Sequence, residues 1–163
     1  MTKHLTKKME NNIPKFTLNA DKTSFTWRAV LIIVLLISIF IPITATVYMI
    51  EHMEGFKLGI LFSYVIFWSS GFYIVRLFLW NTYGKEIIEI NNDSIHYYVD
   101  YKLFKESAKS IKKNNFQIGI IKNKINPNAG KLYIKNDKNL IESTIEITNE
   151  QLNEVEKMIL LSA

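Results

Sequence analysis

At 163 residues the chain has room for one modest domain and an anchor. It contains no cysteine, so disulfides and thiolate metal sites are ruled out. The formal charge of +5 arises from a composition rich in Lys, Asn and Ile and is no sign by itself of nucleic-acid binding. Apolar residues are concentrated in one third of the chain and charges in the rest.

Residues 1–27 read as a basic amino-terminal tail, with Lys3, Lys7, Lys8, Lys15 and Lys22 against Glu10 and Asp21. The tail is too long and polar for the first region of a cleaved signal peptide. The apolar run after it also exceeds the roughly 7–15 residues of such a signal, so an uncleaved anchor is expected. Phe16-Thr17-Leu18 predicts a brief strand that pairs with the carboxy-terminal part. Phe25 and Trp27 suit the headgroup level, where a ring meets both lipid and water.

Residues 28–81 form a predicted transmembrane helical hairpin, with spans at 29–50 and 58–80. A hydrocarbon core of about 30 Å needs roughly 20 helical residues, and both runs have that length. The first holds 14 Val, Leu, Ile or Phe residues and no charge between Arg28 and Glu51. Nor does it carry the polar stripe of a helix buried in a soluble core. Pro42 removes a backbone donor, and Thr44 or Thr46 is placed to help satisfy the freed carbonyls. Arg76, near the end of the second run, reads as a snorkelling anchor rather than a buried functional charge. Trp27, Arg28, Arg76, Trp80 and Tyr83 are the expected interface anchors. The tail carries six Lys or Arg residues when Arg28 is included, and the turn at 51–57 carries one, Lys57. That bias places both termini in the cytoplasm. Facing residues of the antiparallel pair should have numbers summing to about 109, because the spans are joined by a short turn. Ser38, Pro42, Ala45, Gly59, Ser63, Ser70 and Gly71 then mark a small-residue seam, or alternatively a face for a homo-oligomer.

From residue 84 to 163 the period changes from helical to alternating. Strands are predicted at 86–90, 95–101, 105–111, 116–120, 132–134 and 141–147, six in all. Turn chemistry separates them at Asn91-Asn92-Asp93 and Asn136-Asp137-Lys138-Asn139. A closing helix follows, with Thr148 as N-cap and Gln151 at capping-box spacing. Leu152, Val155, Ile159 and Leu160 form its expected apolar stripe. The predicted fold class is thus a membrane α-hairpin plus an α+β domain, an antiparallel sheet closed by a carboxy-terminal amphipathic helix.

The order of two spans, then Trp80-Asn81-Thr82-Tyr83-Gly84-Lys85-Glu86-Ile87-Ile88, a meander and a capped helix resembles small bacterial two-span membrane proteins with a PH-like domain. The resemblance covers residues 25 to 160. It implies a curled sheet of about seven strands, an inner-membrane location and a cytoplasmic domain. In that family the molecular role is mostly unassigned, and no phosphoinositide signature occurs here. The seventh strand would come from a split of the last segment or from the Phe16 region.

Motifs for catalysis, metals or cofactors are absent from the sequence. His4, His52 and His96 have no second ligand at the spacing of His-Glu-x-x-His, and His96 with Asp100 reads as a solvated pair. No Gly-x-Ser-x-Gly and no phosphate-cradling Gly-rich loop occurs. Between Tyr101 and Lys138 there are ten lysines against Glu106 and Asp137. Lys109, Lys112, Lys113, Lys122 and Lys124 are the candidate basic rim, for an acidic protein or for anionic lipid. With Phe116 as the only aromatic between Phe104 and Tyr133, a nucleic-acid stacking platform is not expected. The leading expectation is a non-enzymatic membrane protein presenting a binding domain. Its rivals are an immunity-type protein against a toxin and an enzyme with a membrane-interface site near Arg76 and Tyr83.

Overall fold

The computed structural model describes residues 5–10, 13–52, 58–122 and 128–161. They fall into two compact units. One combines the residues up to Asp21 with those from Tyr83 onward, and the other runs Lys22–Thr82. The segment expected as a separate basic tail therefore belongs to the sheet unit. It supplies two strands, β1 (Leu5–Glu10) and β2 (Ile13–Asn19).

The second unit holds α1 (Phe25–Glu51, 27 residues) and α2 (Leu58–Tyr83, 26 residues). At 1.5 Å per residue each is about 40 Å long, enough to cross a bilayer. Only 11% of the most apolar stretch of α1 and 6% of that of α2 is buried, whereas a soluble core helix would be mostly buried. The lipid-compatible outer surface includes Ile33, Phe40, Phe62, Ile66 and Phe72.

Packing between α1 and α2 is read from a few close contacts. Ser38 and Gly71 meet, and a β-carbon added at Gly71 would stand 3.1 Å from Ser38 Oγ and 3.7 Å from Leu35 Cδ1. Further along, the Thr46 hydroxyl lies 3.0 Å from the Tyr64 hydroxyl. Thr46 Oγ1 also bonds the Pro42 carbonyl, while Thr44 bonds Phe40 and Ile41. Each threonine thus serves the carbonyls one turn before it, rather than the Ser38 carbonyl that Pro42 deprives of a donor.

The expected seam needs correction on its other members. Ala45 and Ser70 are exposed, and nothing lies within 4 Å of where a Gly59 β-carbon would be. Ser63 is half-buried and turns its hydroxyl to the Ile60 carbonyl of its own helix. The contact line follows the four-residue ridge Ser38, Pro42, Thr46, which passes beside Ala45. We therefore expect Gly71→Leu to weaken the hairpin by about 1–3 kcal/mol through overpacking against Ser38. Ala45→Phe should leave it unchanged. Thermal unfolding of the helical signal in detergent separates the two.

The sheet unit continues with β3 (Lys85–Ile90), β4 (Ser94–Asp100), β5 (Lys105–Lys112), β6 (Gln117–Lys122), β7 (Ala129–Lys135) and β8 (Leu140–Thr148). The strands form a five-stranded sheet, β1-β2-β3-β4-β5, and a three-stranded sheet, β6-β7-β8, antiparallel at every step. The single sheet of six to seven strands expected after the hairpin is corrected: the described strands number eight, six of them after the hairpin, and they divide between two sheets. The further ones come from before it, and β8 is a single strand. Phe16 of β2 stands opposite Ile88 of β3, and both are fully buried. The two long apolar helices are thus an insertion between two paired strands.

Alternation builds the core: Ile95, Tyr97 and Val99 point in from β4, and Ile141, Ile145 and Ile147 from β8. The closing helix α3 (Asn149–Leu161) starts at a reciprocal capping box. The Thr148 amide donates to Gln151 Oε1 at 3.0 Å, and the Gln151 amide to Thr148 Oγ1 at 3.3 Å. Val155 and Ile159 are fully buried, Leu152 is half-buried, and Leu160 is 63% exposed. Leu160 lies five residues beyond Val155, about 140° round the helix, so it leaves the expected stripe.

Candidate binding surfaces

β5 decides where the lysines lie. Lys105 pairs with Asp100 at the sheet end where β2 stops and β3 begins, and Lys112 pairs with Ser94 at the opposite end. Seven strand steps of about 3.3 Å put them roughly 23 Å apart. Lys109, Lys112 and Lys113 therefore gather toward the end remote from the strand termini that lead into α1 and out of α2. Lys109 Nζ donates to the Leu140 carbonyl at 3.1 Å, and Asn139 Nδ2 to the Ser110 carbonyl at 3.2 Å. These bonds tie β5 to the start of β8. Burial lowers the Lys113 ammonium from its usual range, with Asp93 opposing, and the Lys113 amide bonds the Asp93 carbonyl at 3.0 Å.

Of the other expected rim lysines, one is placed on the second sheet. Lys122 ends β6 opposite Gly130, five steps and about 16 Å from Gln117, the residue that leads back toward β5. Lys124 lies outside the described residues. What the structure assembles instead is an open cleft of about 410 Å³ lined by Ser110, Lys112, Asn114, Asn136, Asp137, Lys138 and Asn139. Lys138 is the lysine that sequence spacing missed. The Asn136 carboxamide accepts from the Lys138 and Asn139 amides, at 3.1 and 2.8 Å, and so fixes the turn carrying it. The asparagine-rich turn signal was legible, but its proximity to β5 was not.

A second feature had no sequence signal beyond an acidic residue at an inward strand position. Glu86 of β3 is fully buried. Its carboxylate accepts the Thr144 amide at 2.7 Å and the Ile145 amide at 3.3 Å. Tyr97 and the Thr144 hydroxyl also hydrogen-bond to it. β8 needs those acceptors because its register with β7 shifts between Lys131 and Tyr133, where Ser143 Oγ accepts the Leu132 amide and donates to the Ile145 carbonyl. The irregularity turns the next two amides toward β3, where Glu86 receives them. Burial raises the Glu86 carboxyl above its ordinary range although its donors pull it down, and burial beside Glu86 raises the Tyr97 phenol. Glu89, in contrast, is pushed up by burial but held below its usual range overall. Tyr98 at 2.7 Å and Lys15 at 3.0 Å outweigh the burial, aided by Lys105.

His96 and Asp100 do not form a dyad. His96 Nε2 lies 2.9 Å from Ser94 Oγ, and Asp100 Oδ1 accepts the Lys102 amide at 2.7 Å. No cluster of potential metal ligands occurs among the described residues. Of the expected interface anchors, Trp27 is exposed, Arg28, Arg76 and Trp80 are half-buried, and Tyr83 is the last residue of α2. Since α2 runs on to Tyr83, Arg76 lies about two turns from its end.

In its architecture this is a protein with two helices long and apolar enough to cross a membrane, coupled through a strand pair to an antiparallel sheet with a closing helix. Compared with known proteins, the chain matches no family model, no curated protein and no solved structure.

Proposed function

We propose that this is a non-enzymatic, membrane-anchored binding protein whose PH-like sheet domain presents the Lys112–Lys138 cleft to an acidic protein segment. The observation that carries the reading is the position of that cleft, at the end of β5 away from the strand termini that join the spans. That basic surface is open and polar, with Lys112 and Lys138 set among asparagines and one aspartate. It suits a partner in solution or on a neighbouring membrane protein. The lysine bias of the amino-terminal segment supports an inner-membrane location with both termini cytoplasmic. A four-stranded portion, β2 to β5, facing β6 to β8 under a capped helix is the arrangement that a PH-like domain would have, with β1 as an added edge strand.

Installing a photo-crosslinking residue at the exposed Asn114, which lines the cleft without holding its turn, in the full chain and in native membranes, tests the reading. A discrete adduct that disappears with Lys112→Glu/Lys138→Glu and weakens with salt is expected. An adduct indifferent to both changes would remove the acidic-partner reading.

A further inference from the structure

The turn between β4 and β5 is built to present one apolar side chain. Tyr101 and Phe104 close it, with the Tyr101 amide on the Phe104 carbonyl at 3.0 Å and their rings stacked at 4.8 Å. Lys102 takes a left-handed backbone conformation, φ 74°, which the Asp100 carboxylate holds by accepting its amide. The tip residue, Leu103, is 75% exposed. An apolar tip on so fixed a turn loses little freedom when it is buried.

Its place in the chain says what covers it. Lys102 Nζ sits 4.5 Å from the centre of the Tyr83 ring, and Tyr83 is the last residue of α2, one position from β3. Lys85, the first residue of β3, pairs with Asp100, and Asp100 pairs with Lys105. Leu103 thus shares its turn with the exposed Lys102 and Lys105, and Lys85 stands at the same strand ends beside Asp100, with Lys105 Nζ over the Tyr98 ring at 4.7 Å. An exposed apolar tip on a lysine-bearing turn, with an aromatic at the end of a long apolar helix nearby, is the composition of an interfacial anchor.

We propose that the β4–β5 turn is a second membrane contact. Leu103 enters the boundary between headgroups and acyl chains of the leaflet from which α2 emerges, and Lys85, Lys102 and Lys105 lie on anionic headgroups within a Debye length. The proposal rests on reading α1 and α2 as membrane spans and concerns a turn distinct from the Lys112–Lys138 cleft.

The absence of cysteine makes single-site labelling of the full chain direct. Leu103→Cys, Asn92→Cys in the β3–β4 turn and Ile66→Cys in α2 would each carry an environment-sensitive dye. Each protein is reconstituted in phosphatidylcholine vesicles with or without phosphatidylglycerol. The expected result at 103 is blue-shifted emission, loss of quenching by a water-soluble quencher and quenching by lipid labelled near the headgroup, all stronger with phosphatidylglycerol. Adding Lys102→Gln and Lys105→Gln should erase the phosphatidylglycerol effect. The dye at 92 should remain open to water. A dye at 103 as open to water as that at 92, while the dye at 66 is quenched by deep lipid labels, overturns the proposal and leaves the spans intact. Protection at 103 without lipid quenching also overturns it, since a second copy or other protein would then be the cover. A dye at 66 out of reach of lipid quenchers would instead remove the membrane reading itself.

Discussion

Replacing Glu86 by alanine is expected to unfold the sheet unit of the full chain at temperatures where the wild type is folded. The substitution leaves the Thr144 and Ile145 amides facing a site with no acceptor. At about 1–3 kcal/mol for each unsatisfied buried donor, the loss is roughly 2–6 kcal/mol. Domains of ordinary stability have about 5–15 kcal/mol in total, so the variant sits at or near the edge of folding. Thermal loss of the β-sheet circular dichroism in detergent measures it. Glu86→Gln keeps one carbonyl acceptor and the volume and should fall between the two. Equal melting of wild type and alanine variant would show that the amides of β8 are satisfied elsewhere.

The same residue fixes a pH dependence. Burial raises the Glu86 carboxyl in the folded chain above its value in the unfolded one. Its protonated form is thus favoured by folding, and its contribution is fully present below the unfolded value and is lost as pH rises through the folded one. Glu89 runs oppositely: held low overall, it stabilises above the unfolded value and loses that as pH falls through the folded one. Comparing wild type with Glu86→Gln isolates the first effect. The variant should lack the decline in stability on leaving the acidic range, and a parallel pH profile would overturn the assignment.

Strand positions after the hairpin were legible because alternation is a local property: Ile95, Tyr97 and Val99 announce their face without reference to anything else. The capping box at Thr148 was legible for the same reason. What sequence could not supply were relations between distant segments. A lysine count between Tyr101 and Lys138 suggests one basic rim, yet Lys122 lies on a different sheet from Lys109, and a turn 29 residues beyond Ser110 brings Lys138 in. Glu86 looked like an ordinary charged residue at the head of a strand. Its role depends on an irregularity in β8 that frees two amides, and nothing near Glu86 in the chain encodes that. On α1 the small residues were visible but the ridge that packs was not. Ala45 and Thr46 differ by one position, and only the Tyr64 hydroxyl on the opposing helix shows which of them faces it.

Phe16→Ala should cost about 3–5 kcal/mol, the cost of emptying a fully buried aromatic site, and deletion of residues 5–19 should abolish the sheet unit. The reason is topological as well as volumetric. β2 lies between β1 and β3, and its partner on the inner side is separated from it in sequence by the whole hairpin. Such a pairing is entropically costly to close, and the hairpin shortens the loop. Its two ends are already joined by the Thr23 amide on the Asn81 carbonyl at 3.4 Å, a few residues short of the first β2–β3 pair, Asn19 with Lys85. Once α1 and α2 are side by side, β2 and β3 can join as neighbours across a short turn would, starting with the Ala20 amide on the Gly84 carbonyl at 3.0 Å. Gly71→Leu, which strains the hairpin alone, should then slow refolding of the sheet from denaturant without lowering the stability of its core strands. Phe16→Ala should lower that stability in an intact hairpin. Amide hydrogen exchange at Ile88 reads the second effect and stopped-flow recovery of β-structure the first. If residues 84–163 alone gave a folded, exchange-protected β3, the sheet would not need the strand that precedes the spans, and the view of the hairpin as an insertion that nucleates its own flanking pair would fail.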